Sequence, residues 1–279
     1  MKKIDLVILC GGYGTRLKDI TKKIPKPLIK IDNIPFIQYL INFYSTSPSI
    51  ENIFLLTSYK SEKFFKIYHN KFANLKKITC LKEKKPLGTQ GALFNLKKKV
   101  KNDFILTNGD SFVQFDLKKF LNLKGKNKML LVKNRNYREN KKLIKLRLNN
   151  QKKIIYSNKK NFGLMNAGVY FFEKKILSDI KNIYSSLEIN LLPKLIKCEK
   201  LFGLETKGYF IDIGTLKNLK KAKRDFKIIF KRPALFLDRD GVINYDQGYT
   251  HKKNKLKLIT KNLKKIKEKY QNYYFQQQL

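Results

Sequence analysis

Short apolar runs alternate along this chain with amphipathic stretches, and this alternation strongly limits how the chain can fold. Residues 4–10 read as a buried strand, and residues 35–44 read as a helix. Further strands are predicted at residues 52–57 and 103–107, and a helix is predicted at residues 90–100. A βαβα order of this kind predicts an α/β fold, with a mostly parallel, mixed sheet flanked by helices.

The second half of the chain continues this order after one interruption. Residues 141–160 are more polar and predict a hairpin excursion, and residues 169–172 return to a buried strand. Residues 209–213 predict the last strand of the unit, and residues 215–226 predict its closing helix. Arg232-Pro233 then breaks the pattern, because the residue before a proline avoids helical backbone.

The formal net charge is +41, from 62 lysine and arginine residues against 21 aspartate and glutamate residues. Such a charge is typical of proteins that bind nucleic acid or an anionic membrane. Here lysine is spread over nearly every segment and far outnumbers arginine, which favours a composition bias over one basic surface. The chain carries no recognition-helix or RNA-binding signature, so we expect no nucleic-acid partner. The excess charge could still steer a polyanionic substrate.

The sequence predicts neither membrane insertion nor secretion. No apolar run reaches the roughly 18 residues that a membrane-spanning helix needs, and the run at residues 4–10 is too short for a signal peptide. Cys10, Cys80 and Cys198 lie far apart and follow no metal-ligand spacing. We therefore expect a cytoplasmic protein with reduced thiols. A homo-oligomer is left open.

A glycine-rich loop follows the first strand directly: residues 11–17 read Gly-Gly-Tyr-Gly-Thr-Arg-Leu. Glycines at the carboxyl end of a strand let the backbone approach a phosphate, and successive N–H groups there form an anion nest. The loop lacks the Gly-Lys-Ser/Thr ending of a Walker loop, and Leu17 replaces the third glycine of the dinucleotide fingerprint. Pro25 and Pro27 enclose Lys26, which suits a fixed cation aimed at a triphosphate.

Together these two segments resemble the signature of the sugar-1-phosphate nucleotidyltransferases, Gly-Gly-x-Gly-Thr-Arg-Leu followed by Pro-Lys-Pro-Leu. The resemblance covers residues 1–226 and implies a Rossmann-like nucleotidyltransferase domain. It implies that Arg16 and Lys26 contact the phosphates of the nucleotide. The backbone that it assigns to nucleotide binding is that of Gly11, Gly12, Gly14, Thr15 and Arg16.

Residues 86–92 resemble the second loop of the family, in which Gly88 lies against the base and ribose. Gln90 stands where the common form of this loop has glycine. Just upstream, Glu83 resembles a contact on the base side of the nucleotide. A solvated surface carboxylate is the alternative for Glu83, and the sequence leaves both open.

Two aspartates end predicted strands at the edge of the sheet where open α/β folds bind ligands. Asp110 follows the strand at residues 103–107, although a turn or capping residue is an alternative there. Asp212 lies in the last predicted strand. By the resemblance, both aspartates are metal ligands. Two carboxylates with phosphate oxygens suit Mg²⁺, which is therefore the expected cofactor.

The resemblance also assigns a sugar side to the site. Asn166 and Gly168 resemble the strand that contacts the sugar, and Glu188 resembles a glutamate that reaches it from a helix start. A first-turn carboxylate favoured by the helix dipole is the alternative for Glu188. Lys159 matches the lysine of a Glu-Lys-Pro segment, but Asn158 replaces its glutamate, which leaves the sugar specificity open.

The reaction that this resemblance implies is an in-line displacement at the α-phosphorus of a nucleoside triphosphate. A phosphate oxygen of the sugar 1-phosphate attacks and pyrophosphate leaves. The nucleophile is already an anion, so catalysis consists of positioning and charge neutralisation. Arg16, Lys26, Asp110 and Asp212 are the expected catalytic residues.

Residues 231–279 form a separate segment after the nucleotidyltransferase domain expected at residues 1–230. Residues 238–244 read Asp-Arg-Asp-Gly-Val-Ile-Asn and resemble the first motif of haloacid-dehalogenase-like phosphatases of the heptose-bisphosphate and histidinol-phosphate type. By this resemblance, Asp238 is a nucleophile and Asp240 an acid/base. The later motifs of that family are missing, so we expect an incomplete, vestigial fragment without phosphatase activity.

The two resemblances together suggest consecutive steps toward a nucleotide-activated heptose for cell-surface polysaccharide. They favour GTP and D-glycero-D-manno-heptose 1-phosphate as substrates. A mannose-1-phosphate guanylyltransferase, or a transferase for another sugar 1-phosphate, is the alternative within the same chemistry. A non-catalytic nucleotide-binding homologue is the alternative outside it.

Overall fold

The computed structural model describes residues 2–133, 146–157, 163–181, 183–230, 237–246, 248, 254 and 256–269. The chain divides into two compact units, Met1–Arg224 and Asp225–Leu279. The strands are β1 (Ile4–Leu9), β2 (Lys30–Ile31), β3 (Ile34–Pro35), β4 (Ile50–Thr57), β5 (Phe72–Ala73), β6 (Lys76–Lys82), β7 (Phe104–Asn108), β8 (Ser111–Val113), β9 (Asn127–Lys133), β10 (Leu146–Leu148), β11 (Ile154–Tyr156), β12 (Leu164–Phe172), β13 (Leu201–Thr206) and β14 (Phe210–Asp212). The α-helices are α1 (Lys18–Lys23), α2 (Phe36–Ser45), α3 (Ser61–Tyr68), α4 (Gly88–Gly91), α5 (Leu117–Asn122), α6 (Leu192–Lys197), α7 (Leu216–Ile229) and α8 (Thr260–Lys269).

Strand β1 lies at the centre of a parallel group. It pairs in parallel with β4 on one side and β7 on the other, and β4 pairs in parallel with β6. Leu6, Val7 and Ile8 on β1 are fully buried. A continuous apolar run is what a strand covered on both faces requires. The strand predicted at the start of the chain is present, and it carries the glycine loop at its carboxyl end.

Beyond β7 the sheet becomes antiparallel. Strand β12 pairs antiparallel with both β7 and β9, and β13 then pairs in parallel with β9. The register between β12 and β9 shifts between Asn166 and Tyr170, and Gly168 has a φ of 74° within this bulge. The mixed sheet with flanking helices confirms the predicted fold class. No described helix is long and apolar enough to cross a membrane.

Helices and turns cover this sheet with apolar side chains. Leu93 and Leu96 are fully buried in one apolar cluster with Val7, Leu106 and Tyr170. Burying a leucine side chain stabilises a fold by about 1.5–3 kcal/mol relative to leaving it exposed. This cluster therefore holds the segment after residue 87 against the sheet.

The prediction of one continuous helix at residues 90–100 is wrong. Only α4 is α-helical there, and a 3-10 turn follows at Ala92–Leu96. The backbone N–H groups of Gln90 and Gly91 donate to the carbonyl oxygen of Ser185, over 3.0 and 3.3 Å. A neighbouring segment therefore binds the first turn and fixes its place.

Strands β8 and β14 form a small antiparallel sheet of their own. Asp212 pairs directly with Ser111, and the N–H of Ile213 donates to the carbonyl oxygen of Asp110 over 3.0 Å. The strand predicted at residues 209–213 is present, but it lies outside the main sheet. This pairing brings Asp110 and Asp212 together from distant parts of the sequence.

The predicted hairpin at residues 141–160 is partly visible. Strands β10 and β11 pair antiparallel, whereas residues 134–145 and 158–162 lie outside the described residues. In the second unit, Asn244 forms an isolated bridge with Leu258, which precedes α8. Residues 231–236, before the segment at Asp238, also lie outside the described residues.

Candidate active site

A cavity of about 400 Å³ opens at the carboxyl ends of the parallel strands. This is the edge at which open α/β sheets bind ligands. Its lining comes from the ends of β1 and β7 and from the loops that follow β1 and β6. The lining residues are Leu9, Cys10, Gly11, Gly12, Tyr13, Lys26, Pro27, Leu56, Glu83, Pro86, Gly88, Thr89, Ala92, Asn108, Asp110 and Tyr184.

The glycine loop turns at Gly14 in a backbone conformation that favours glycine. Gly14 has a φ of 66°, and a Cβ there would lie 2.8 Å from Cγ2 of Thr21. The Thr21 hydroxyl donates to the carbonyl oxygen of Gly14 over 3.1 Å, which holds the turn. A Cβ on Gly12 would meet nothing within 4 Å, so the space beside it is open to a ligand.

Lys26 lines the cavity and is 8% exposed. Its Nζ donates a hydrogen bond to Oδ2 of Asp110 over 2.7 Å. Pro25 and Pro27 enclose it in a short 3-10 turn. The lysine is therefore a fixed, partly desolvated cation beside a carboxylate, where its charge acts more strongly than at the surface.

Asp212 is half-buried beside Asp110. Burial raises the pKa of Asp212, the negative charge of Asp110 raises it further, and the N–H of Gly214 together with the charges of Lys26 and Arg16 lowers it. The Gly214 N–H donates to Oδ1 of Asp212 over 2.5 Å. The site thus brings together two carboxylates and two cations.

Gly214 makes this arrangement possible. A Cβ at that position would lie 2.7 Å from a guanidinium nitrogen of Arg16 and 2.7 Å from Oδ1 of Asp212. Any side chain at position 214 would therefore displace one of them. Gly14, Thr15 and Arg16 do not line the cavity. The Arg16 side chain instead lies next to Gly214 and Asp212, at the edge of the site.

The two aspartates are the residues that could hold a metal ion. No group of three or more His, Cys, Asp and Glu side chains forms a metal cluster within the described residues. The two carboxylates repel each other, and a divalent cation between them would relieve this repulsion. Such a cation could complete its coordination shell with water and phosphate oxygens. The two carboxylates do not fit a metal that requires a closed set of protein ligands.

Glu83 lies in the cavity and is 6% exposed. Burial raises its pKa to about 7. Its Oε1 has no hydrogen-bond partner among the described residues, and a Cβ on Gly11 would lie 3.2 Å from its Oε2. This burial excludes the solvated surface carboxylate that the sequence left open. A buried acceptor without a partner is costly unless a ligand supplies the donor.

Asn166 and Gly168, predicted for the sugar side, lie at the bulge in β12. The side-chain amide of Asn166 donates to the Tyr170 hydroxyl over 2.6 Å, and its Oδ1 accepts from the N–H of Gly168 over 2.8 Å. The Glu188 carboxylate lies near enough to raise the pKa of Tyr170, after the larger effect of burial. Lys159 lies outside the described residues.

The sequence matches the nucleotidyl transferase family profile over residues 6–227. The chain belongs to this family. Among its relatives, the D-glycero-alpha-D-manno-heptose 1-phosphate guanylyltransferase of Campylobacter jejuni is 36% identical over 216 residues, which are 76% of this chain and 95% of that protein. The bifunctional protein GlmU of Methanococcus vannielii is 34% identical over 223 residues, which are 76% of this chain and 52% of that protein. The chain thus spans about half the length of its GlmU relatives.

Solved structures agree with this membership. The crystal structure of HddC from Yersinia pseudotuberculosis matches this nucleotidyl transferase with a TM-score of 0.68 and 31% identity, over 80% of this chain and 100% of that one. A second structure of HddC, in complex with GMP-PN, matches with a TM-score of 0.66.

Two residues that line the cavity are not among the residues predicted for the site. Tyr184 lines the cavity although its side chain is 77% exposed, and it belongs to no predicted motif. Asn108 also lines the cavity, and its side chain lies against Gly168, where a Cβ would be 2.6 Å from its Nδ2. The glycine at 168 was the available signal, because a glycine in a strand often marks a close approach.

Proposed function

We propose that this nucleotidyl transferase transfers GMP from GTP to D-glycero-D-manno-heptose 1-phosphate, with release of pyrophosphate. One observation carries the proposal. Asp110 and Asp212 lie together beside Lys26 and Arg16, and Asp110 and Lys26 line the same cavity as Gly11 and Gly12 of the glycine loop. This is the charge arrangement that a phosphoryl transfer between two polyanions needs.

In the proposed reaction, an oxygen of the sugar phosphate attacks the α-phosphorus of GTP. A new P–O bond forms as the bond between the α-phosphorus and its bridging oxygen breaks, and the electron pair leaves with pyrophosphate. The attacking oxygen is already an anion, so no side chain has to remove a proton. Lys26 and Arg16 neutralise charge that develops on the leaving group.

Mg²⁺ is the proposed cofactor, and Asp110 and Asp212 are the residues that would hold it. When bound, it would offset the charge of the phosphates and orient the two reactants. The mutual repulsion of the two carboxylates supports this assignment, because a cation between them relieves it. In the absence of the cation, the positive charge of Lys26 offsets part of the repulsion between the carboxylates through its hydrogen bond to Asp110.

Glu83 supports guanine as the base. An ionised carboxylate offers two acceptors side by side, and the edge of guanine offers two neighbouring N–H donors. Adenine offers only its amino group as a donor on that edge, so it would leave one oxygen of the buried carboxylate without a partner. A site built to hydrogen-bond one ligand rejects an analogue that lacks the matching group. Gly88, further along the same segment after β6, would lie against the base and ribose.

The choice of D-glycero-D-manno-heptose 1-phosphate as the sugar substrate is supported by the names of two relatives. These are the D-glycero-alpha-D-manno-heptose 1-phosphate guanylyltransferases of Campylobacter jejuni and Aneurinibacillus thermoaerophilus. Asn166, Gly168 and Glu188 are proposed to contact the sugar, together with Lys159. The product would be a nucleotide-activated heptose for cell-surface polysaccharide, made in the cytoplasm without a nucleic-acid partner.

We further propose that residues 1–230 form the nucleotidyltransferase domain and residues 231–279 a phosphatase-like fragment. The support is the Asp-x-Asp segment at Asp238 and Asp240. The Arg239 side chain binds the Asp240 carboxylate through two nitrogens, over 3.0 and 2.8 Å. An aspartate held in this way is poorly suited to protonate a leaving group.

Pyrophosphate release by the purified chain tests the proposal. The assay uses Mg²⁺, each of the four common nucleoside triphosphates and a panel of sugar 1-phosphates that includes heptose, mannose and glucose. The proposal predicts the highest kcat/KM for GTP with the heptose. A clear preference for another pair would reject the substrates and keep the chemistry. Nucleotide binding without turnover on any sugar would instead favour a non-catalytic homologue.

A further inference from the structure

The loop that lines the nucleotide side of the cavity is bound to the segment that carries Glu188. The N–H of Ser185 donates to the carbonyl oxygen of Leu87 over 2.8 Å, and the Ser185 carbonyl accepts from Gln90 and Gly91. Residues 87–91 and 183–188 therefore form a closely packed pair of loops, which we name the clasp.

Two glycines make this close approach possible. A Cβ on Gly88 would lie 2.4 Å from the carbonyl oxygen of Ser185, and Gly88 also has a φ of 75°. A Cβ on Gly91 would lie 2.5 Å from the carbonyl oxygen of Ile183. Side chains at these positions would push the two loops apart, so the clasp depends on backbone contact.

Thr89 joins the clasp through its side chain. Its hydroxyl oxygen accepts from the N–H of Leu187 over 2.9 Å and donates to Oε2 of Glu188 over 3.0 Å. The Ser186 hydroxyl donates to the same oxygen over 2.7 Å. Both hydrogen bonds of Glu188 within the described residues therefore use Oε2, which leaves Oε1 for a ligand.

The two ends of this chain of contacts lie in different subsites. Thr89 lines the cavity together with Gly88 and Glu83. Glu188 lies near the Tyr170 hydroxyl, to which the Asn166 side chain donates. A rearrangement of the loop around Thr89 would therefore move the Glu188 carboxylate, which lies near Tyr170.

We propose that Thr89 is a positioning residue that couples the nucleotide subsite to the sugar subsite. The inference rests on the proposed function. A nucleotide in the cavity fixes the loop at residues 87–91, and Thr89 then holds Glu188 in the orientation that accepts a hydroxyl of the sugar. Nucleotide and sugar phosphate consequently bind with positive coupling, and the coupling is reciprocal because it is a property of binding free energies.

The test measures binding of D-glycero-D-manno-heptose 1-phosphate by calorimetry, with and without a non-hydrolysable GTP analogue, in the full chain with Mg²⁺. For the wild type we expect the analogue to tighten sugar-phosphate binding about tenfold, within the usual range of such couplings. In Thr89→Val, which keeps the shape and loses the hydroxyl, we expect the tightening to fall below about twofold. Thr89→Ser keeps the hydroxyl and should restore it.

Ser186→Ala is the matched control. It removes the other donor to Oε2 of Glu188 but leaves the bond from Thr89 intact. We expect it to weaken the sugar phosphate equally with and without the nucleotide, so the coupling factor is unchanged. Glu188→Ala should abolish the coupling, and adding Thr89→Val to it should change nothing further.

The outcomes separate the inference from the proposed function. Full coupling in Thr89→Val, or wild-type protein that binds both ligands independently, would overturn the role of Thr89 and leave the proposed activity intact. If Thr89→Val does not fold, unchanged coupling in Glu188→Ala would overturn the role as well. Wild-type protein that binds neither ligand would reject both.

Discussion

Lys26 Nζ donates a hydrogen bond to Oδ2 of Asp110 over 2.7 Å, with the lysine buried and the aspartate partly exposed to the cavity. The bond joins a loop after the first strand to the end of β7. It places the cation that would contact the nucleotide phosphates next to a carboxylate that would hold the metal ion. Positions 26 and 110 are therefore expected to act as one unit, so substitutions at the two sites should not be additive.

Replacing Asp110 tests this unit. Asp110→Asn keeps the shape and removes the charge, so we expect kcat to fall at least about 100-fold, as when one charge-stabilising group is lost. The melting temperature should change little, because the aspartate is partly exposed. Asp179→Asn, at an exposed aspartate, is the matched control and should retain wild-type kcat. Near-wild-type turnover in Asp110→Asn would remove Asp110 from the mechanism.

Gly214 gives a second test of the same site. In Gly214→Ala the new methyl group would lie 2.7 Å from both Arg16 and Asp212, so one of the two side chains must move. A displacement of about 1 Å in such a site can reduce the rate by about 100-fold. We expect kcat to fall by about that factor while the protein stays folded, as circular dichroism would report. An unchanged kcat would show that Arg16 and Asp212 need not lie this close.

The pH dependence of nucleotide binding follows from Glu83. Burial raises its pKa to about 7 in the absence of nucleotide, and the proposed recognition of guanine requires the ionised form. The fraction ionised falls about tenfold for each pH unit below the pKa, so GTP should bind more weakly as the pH falls below about 7. In Glu83→Gln, the GTP affinity should be lower and should lose this pH dependence. An equally pH-dependent affinity in the variant would assign the effect to another group.

The ionisation of Glu83 should strengthen GTP binding but lower the stability of the ligand-free protein. Because the folded-state pKa is raised above the ordinary value of 4.5, the group favours the folded state when protonated. Its ionisation therefore costs stability progressively as the pH rises from about 4.5 to about 7. We expect Glu83→Gln to raise the melting temperature at about pH 8 and to have a smaller effect at about pH 5. The same shift at both values would contradict a buried, unpaired carboxylate.

The segment at Asp238 and Asp240 is expected to be inactive as a phosphatase. A hydrogen bond from Arg239 lowers the pKa of Asp240, a second from Asn244 lowers it further, and the carboxylate therefore stays ionised. An acid catalyst must carry a proton near neutral pH. The purified chain should release no inorganic phosphate from heptose bisphosphate above the level of an Asp238→Asn variant. Release that depends on Asp238 would refute this expectation.

Much of the site follows from residues that are adjacent in sequence. A glycine loop directly after a buried strand predicts a phosphate site, because strand and loop are joined covalently and glycines allow the tight turns and close backbone approach that a phosphate needs. Lys26 between two prolines is likewise a local feature. The carboxyl ends of parallel strands meet at one edge, which is why Asp110 could be placed near the loop before any contact was known.

The rest depends on pairings between distant segments. Nothing local to residues 210–212 indicates that they leave the main sheet and pair with residues 111–113, yet this pairing places Asp212 beside Asp110. The antiparallel pairing of β12 with β7 likewise could not be predicted, since the apolar pattern of a buried strand does not indicate the direction in which it runs. The short α4 in place of a longer helix, and the bond from Thr89 to Glu188, both result from the docking of residues 183–188.

The most direct test of the central claim is to identify the product. The purified chain is incubated with Mg²⁺, GTP and D-glycero-D-manno-heptose 1-phosphate, and the mixture is followed by phosphorus NMR and mass spectrometry, with Asp110→Asn in parallel. The account predicts a GDP-heptose and an equal amount of pyrophosphate, both formed at least about 100-fold more slowly by the variant. Intact substrates after prolonged incubation with folded wild-type protein, on this and on every other sugar 1-phosphate offered, would contradict it.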